Sequence, residues 1–344
     1  MNGFPRAFWL CMDQASSPSP FTFEPSGEPA RIPFAAVYYP SYTPKRQRPV
    51  VAGVLALLTV ISTLAVGAQF SSSYARNEAP FTGDFDPFAP LVAAFHHPSA
   101  MLAGLPFSAT LLLILLAHEL GHFFACKYYR IDASYPYFIP APTIIGTMGA
   151  FIRIRSPIPS RKALFDVGLA GPVVGFALAL PALAIAILAS KVAQGAQAEA
   201  AIRFGDPLLM KFLLAVLRPG VAPGDLLLNP MGRAAWVGLF ATAMNLLPAG
   251  QLDGGHIVYS IAPEKHRKIS IFMALALVPL AHWWAGWLLW AVLLLAIGFL
   301  HPPLMNRWEP LGERRIVLAV LALVIFALCF MPTPFASQPP MSLF

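Results

Sequence analysis

Leu111-Leu-Leu-Ile-Leu-Leu-Ala-His-Glu-Leu-Gly-His-Phe-Phe-Ala125 lies towards the C-terminal end of an apolar run from about Ala100 to Tyr128. A membrane-spanning helix needs about 20 apolar residues, and this run supplies them. Yet it carries His118, Glu119 and His122 within one stretch of five residues. Ionisable groups are expensive in hydrocarbon and mark function there. On a helix, residues i and i+4 share a face, so both imidazoles reach one metal ion. Imidazole suits zinc, and a catalytic zinc takes three protein ligands and leaves a position to water. Glu119, beside the first histidine, is placed to act on that water as general base.

The rest of the chain fits a membrane setting. Of its 344 residues, 57% are hydrophobic and 11% charged, against about 25% charged in soluble domains. That excludes a water-soluble globule. The expected fold class is an all-α polytopic membrane protein of about six or seven transmembrane helices, with a small interfacial β-strand or hairpin. The formal charge of +7 does not point to nucleic acid, because the basic residues fall mostly in short stretches between apolar runs. Cys11, Cys126 and Cys329 show no C-x-x-C spacing and read as small apolar side chains.

Residues 1–49 are rich in Pro and Ser, without helical periodicity, and read as a flexible cytoplasmic extension. The first long apolar run begins only near Val50, too late for a cleavable leader, so it is expected to stay as a span. Residues 50–331 form the expected membrane domain, with its core at 105–301, and 332–344 a short tail. Further spans are expected over about Ala163–Ala189, Ala234–Leu247 and Ile316–Met331. Two short ones over Ser270–Leu300 are joined at His282-Trp-Trp284. Leu208–Leu217 reads as a short amphipathic piece. Gly171-Pro-Val-Val-Gly175 offers small residues four apart, which let membrane helices approach closely. With the N-terminus inside, 17 of the 23 Lys and Arg fall on the cytoplasmic side and 6 outside, as the positive-inside rule requires. The expected location is multi-pass, in a prokaryotic cytoplasmic membrane. Both polar motifs then lie near the cytoplasmic ends of their spans.

Two histidines need a third ligand. Asp253 follows an apolar helix broken at Pro248-Ala-Gly250, at the depth and side of the histidine pair. Freed backbone is tolerated at membrane depth only where protein or water surrounds it. The alternative for Asp253 is a helix cap. His256 is the second candidate ligand, or a hydrogen-bond partner to a ligand, or part of the cavity wall. Asp166 is adequately explained by an arginine pair or a cap. Asn245 is either a donor to a developing oxyanion or a helix–helix hydrogen bond. In Gly146–Arg155, Ile152 and Ile154 alternate with Arg153 and Arg155, a period of two. This segment serves either to pair with an extended substrate or to anchor at the interface. Its candidate substrate contacts are Gly149, Phe151 and Ile152.

His118-Glu-Leu-Gly-His122 in an early span, followed by Asn245-Leu-Leu-Pro-Ala-Gly-Gln-Leu-Asp-Gly-Gly-His256, resembles the site-2 protease family of intramembrane zinc metalloproteases. Gly146-Thr-Met-Gly149, Ser156-Pro-Ile-Pro-Ser-Arg-Lys-Ala163 and Gly168-Leu-Ala-Gly-Pro172 are similar to its bacterial and plastid branch. The resemblance covers about Leu105–His301. It implies one zinc ion held by His118, His122 and Asp253, with Glu119 activating water and Asn245 binding or polarising the scissile carbonyl. It also implies transmembrane or membrane-tethered protein substrates, cut in the lipid bilayer near the cytoplasmic face. Many bacterial members carry a PDZ domain between central spans, and the Lys191–Arg233 connection is too short for one. Rival readings are a zinc protease of another family, an ion-coupled transporter and an inactive scaffold. The first usually takes a Glu as third ligand, and Glu264, Glu309 and Glu313 all fall in expected loops.

Overall fold

In the computed structural model, which describes residues 47–78, 86, 88–193, 202–297, 304–306 and 308–337, Pro49 opens the first helix. Its fixed φ suits a position whose N–H would have no helical partner. This helix, α1 (Pro49–Ala75), is followed by the short α2 (Ala89–His96). After a tight turn, α3 (Leu105–Tyr128) carries the two histidines. A hairpin follows, with β1 (Tyr137–Pro140) antiparallel to β2 (Thr147–Phe151). The pairing continues beyond the strands through a bridge between Ala133 and Ile154. Next comes α4 (Arg161–Ala189), whose N-cap Ser160 accepts from the Ala163 amide at 3.3 Å.

The second half is built from shorter pieces. Strand β3 (Lys191–Val192) precedes β4 (Ile202–Phe204), α5 (Leu208–Leu217) and β5 (Leu226–Leu227). Then come α6 (Pro230–Asn245), α7 (Asp253–Ile261), α8 (His266–Leu280), α9 (Gly286–Ile297), α10 (Glu313–Cys329) and β6 (Phe335–Ser337). Asn229 caps α6, accepting from the Gly232 amide at 2.8 Å, with Pro230 at the first helical position. Strand β3 pairs with β5 and β4 with β6. The stretch expected to be a tail thus begins with a strand, and 338–344 lies outside the described residues, as does the extension before Gln47.

Among the described residues, three helices are long and apolar enough to cross a bilayer: α1, α3 with its preceding turn, and α4. Helices α6, α8 and α10 have 16, 15 and 17 residues. At about 1.5 Å per residue each falls short of a hydrocarbon layer about 30 Å thick. α6 is short because it stops at Asn245, where the chain turns towards the site. The junction between α8 and α9 falls at residues 281–285, over the His282-Trp-Trp284 sequence, as expected from its composition. Outward faces carry exposed Leu57, Leu113, Phe124, Leu188 and Leu321, the surface of a protein bathed in lipid. The chain is a multi-pass membrane protein.

Helix α4 lies at the centre. It packs against α3, α6 and α7, while α1 covers α3 and the hairpin. The core that α3, α4 and α6 share includes Phe107, Leu111, Ile114, Leu183, Ile187 and Leu239, all buried. On the same side of the molecule as the start of α6, Arg233 is buried between the rings of Phe70 and Phe204, 5.5 and 5.2 Å from their centroids. Such cation–π contacts repay part of the cost of burying a guanidinium.

Candidate active site

Helix α3 turns His118 and His122 to one face, and α7 brings Asp253 to meet them. Nε2 of His118 lies 3.1 Å from Nε2 of His122. Oδ2 of Asp253 lies 3.2 Å from the first nitrogen and 3.3 Å from the second. These three residues are the cluster of potential metal ligands among the described residues. The triangle has the right size for zinc. Ligands at about 2.0–2.1 Å on a tetrahedron stand about 3.3 Å apart. Nδ1 of His122 donates to the Val167 carbonyl at 2.7 Å. A carbonyl only accepts, so the proton sits on Nδ1 and the Nε2 lone pair is left facing the cluster. The donor set and its spacing therefore fit one zinc ion.

Glycines on α4 make room for this cluster. A Cβ at Gly171 would fall on Nε2 of His122, and one at Gly175 would stand 3.2 Å from both Cβ and Nδ1 of His118. A Cβ at Gly168 would meet Cβ of His256 at 2.9 Å and the Asp253 carbonyl at 3.1 Å. From the other side, a Cβ at Gly121 would press on the Ala170 carbonyl at 2.6 Å. The sequence pattern suggested close helix approach. The structure adds that two of these glycines face imidazole rings rather than a neighbouring backbone.

Asp253 owes its position to the break after α6. Gly250 takes a φ of +58°, which suits glycine. Its amide donates to Oγ of Ser270 at 3.1 Å, and Nε2 of His266 donates to its carbonyl at 3.0 Å. Both partners belong to α8. Gly254 and Gly255 lie against the carbonyls of Leu246, Leu247, Ala249 and Gly250, where side chains would not fit. Asp253 is the first residue of α7, so its backbone starts a helix while its carboxylate faces the histidines. The anchoring by His266 and Ser270 had no signal in the sequence, because neither lies in a recognisable motif.

A cavity of about 190 Å³ opens on the cluster. Glu119, Asn245 and His256 line it. Glu119 is buried, and the backbone amide of Ile152 faces its carboxylate. Nδ2 of Asn245 reaches across from α6 to within 3.2 Å of Nε2 of His118. His256 stands on the wall and not in the ligand cluster. Phe151 and Ile152 also line the cavity, together with Ala150 and Ile154; Gly149, at φ +98°, does not. Asp166 is engaged elsewhere. It takes a two-pronged bond from Arg315, at 2.9 and 2.6 Å, and one from the Tyr129 hydroxyl. The arginine-pair reading of Asp166 holds.

Comparison with known proteins agrees with this geometry. The model of peptidase family M50 matches residues 106–282. Two Arabidopsis thaliana proteins are similar. "Probable zinc metalloprotease EGY2, chloroplastic" is 31% identical over 254 residues, covering 72% of this chain and 45% of that protein. "Probable zinc metalloprotease EGY1, chloroplastic" is 32% identical over 242 residues, covering 67% and 43%. The chain thus spans somewhat under half the length of these relatives. Among solved structures, the site-2 protease of Methanocaldococcus jannaschii aligns with 70% of this chain and 82% of its own, at 16% identity and a TM-score of 0.31. With more than half its length matched and its His-His-Asp cluster inside the matched region, the chain belongs to peptidase family M50, the site-2 protease family.

Proposed function

We propose that this protein hydrolyses peptide bonds of transmembrane or membrane-tethered proteins, close to the expected cytoplasmic face, with one zinc ion held by His118, His122 and Asp253. The observation that carries this reading is the triangle of three donor atoms 3.1–3.3 Å apart beside a buried glutamate. A zinc ion bound there supplies Lewis acidity, which acidifies water and polarises a carbonyl. Glu119 takes the proton from the attacking water and returns it to the leaving amine. Asn245 Nδ2 donates to the carbonyl oxygen as charge develops on it. The Nδ1 hydrogen bond of His122 to Val167 keeps that imidazole oriented.

The substrate must present an extended peptide, because a helical amide is shielded by its own turn. The hairpin supports this. Arg153 O accepts from Ser134 N and Arg155 N donates to Asp132 O, so these residues spend their backbone groups on the β1 side. The intervening Ile152 and Ile154 turn theirs to the opposite edge, beside the cavity. An extended substrate adds there as a further strand. The shorter apolar helices α6, α8, α9 and α10 complete the six or seven crossings.

The test is reconstitution of the purified protein in vesicles with a single-span substrate. Cleavage is expected in the wild type, and is lost on chelation and in Glu119→Gln, which keeps its zinc. Cleavage by Glu119→Gln would overturn the reading. Asn245→Ala should lower kcat by about 100-fold with zinc retained. Ile152→Pro removes the amide that faces the Glu119 carboxylate and breaks the strand edge beside it, and should reduce cleavage far more than zinc content; equal cleavage would remove strand addition from the account.

A further inference from the structure

Beyond the cavity, the hairpin edge runs into a second and larger space. A groove of about 1300 Å³ lies between the start of α1 and the outer side of the hairpin. Phe151 and Ile154 line both spaces, so the groove adjoins the cavity. Its charge is of one sign. Arg48, Arg153 and Arg155 line it, and no acidic residue does among the described residues. Arg48 and Arg153 are exposed, and neither forms an ion pair with a described residue. Arg155 Nη2 donates to Gln47 Oε1 at 2.9 Å, which ties the start of α1 to the hairpin. Aromatic faces complete the wall: Tyr135, Tyr137 and Phe151, the last two with ring centroids 5.7 Å apart.

We infer that this groove receives an acidic segment of the protein substrate lying just outside the bilayer, next to the stretch held at the cavity, and that Arg48 and Arg153 select for it. The inference rests on the protease reading above. A peptide fits the surface better than a lipid headgroup for two reasons. The groove adjoins the cavity, and it is lined by Ile154, whose backbone groups turn away from residues 132–134 towards the open edge. A chain paired along that edge is led towards the arginines. Guanidinium groups then meet carboxylates in the forked geometry they favour. The groove also lies by the N-terminal end of α1, the side on which basic residues are expected to collect.

The test uses the full chain in vesicles of phosphatidylcholine, with and without phosphatidylglycerol. Three single-span substrates share the same transmembrane sequence and differ only in a flanking segment carrying three Asp, three Lys or three Gln. Wild-type kcat/KM should rank Asp above Gln above Lys, with about a 10-fold span, the scale of a few partly exposed ion pairs. The double substitution Arg48→Glu, Arg153→Glu should invert the ranking, in both lipid mixtures, with zinc content unchanged. Equal rates for the three substrates, or a ranking that survives the double substitution, overturns the inference. So does a ranking that follows phosphatidylglycerol content instead of the variant, which would assign the groove to lipid. The Gln substrate separates this failure from that of the protease reading. If wild type cleaves it and Glu119→Gln does not, the protease reading stands whatever the ranking.

Discussion

One run of residues on α4 packs in two different ways. Residues 171, 175, 179, 183 and 187 follow one another at helical spacing: Gly, Gly, Ala, Leu, Ile. At the Ala, Leu and Ile end every one of these side chains is fully buried, in the core that also holds Phe107, Leu111 and Ile114. At the glycine end the partner residues are His118 and His122, and the space given up by α4 is taken by imidazole. The same helix therefore packs tightly into the apolar core on one half and borders a polar chamber on the other. Without a hydrophobic drive between helices in lipid, close packing is what holds them together. The filled half supplies the rigidity against which the open half keeps its donor atoms in place.

This contrast can be broken from the glycine end first. Gly171→Ala puts a methyl group onto the Nε2 of His122 that faces His118 and Asp253. It should abolish zinc binding and lower cleavage by at least about 100-fold. Metal analysis of the purified variant checks this, and full zinc occupancy would show that the ring has somewhere else to go. Gly175→Ala comes next. Its Cβ would stand 3.2 Å from the His118 side chain, a distance that a small shift relieves. It should retain zinc and lose about 3- to 10-fold in kcat, the result of a displacement of a few tenths of an ångström. The smallest effect on chemistry is expected from the filled half. Leu183→Ala leaves a cavity and should cost about 2–5 kcal/mol of stability, read as a lower Tm. Zinc content and kcat measured well below Tm should stay at wild-type levels. If Leu183→Ala lost zinc as readily as Gly171→Ala, the two halves would not be separable.

How much of this could be read without a structure depends on the residue. Ionisable groups in an apolar run stand out against lipid, so His118, Glu119 and His122 were readable, and the break at Pro248–Gly250 led on to Asp253. α5 coincides with the amphipathic stretch Leu208–Leu217, because hydrophobic periodicity reports helices well. Glycine is less informative. It has no side chain, so Gly171 and Gly175 announce only that something comes close, not whether that is a backbone or an imidazole. The β-like stretch was visible from its alternation. Its partner Tyr137–Pro140 was hidden by prolines, which disguise an edge strand. Span boundaries were displaced by a few residues where an apolar composition runs on past the point at which the chain turns to serve the site: Ala234–Leu247 was expected, and the helix is Pro230–Asn245.

The most direct measurement is zinc stoichiometry in the purified, detergent-solubilised protein and two variants, judged beside their folding. The account predicts one zinc per chain in the wild type and in Glu119→Gln, and loss of zinc in Asp253→Ala while its helical content is preserved. A full complement of zinc in folded Asp253→Ala would contradict it.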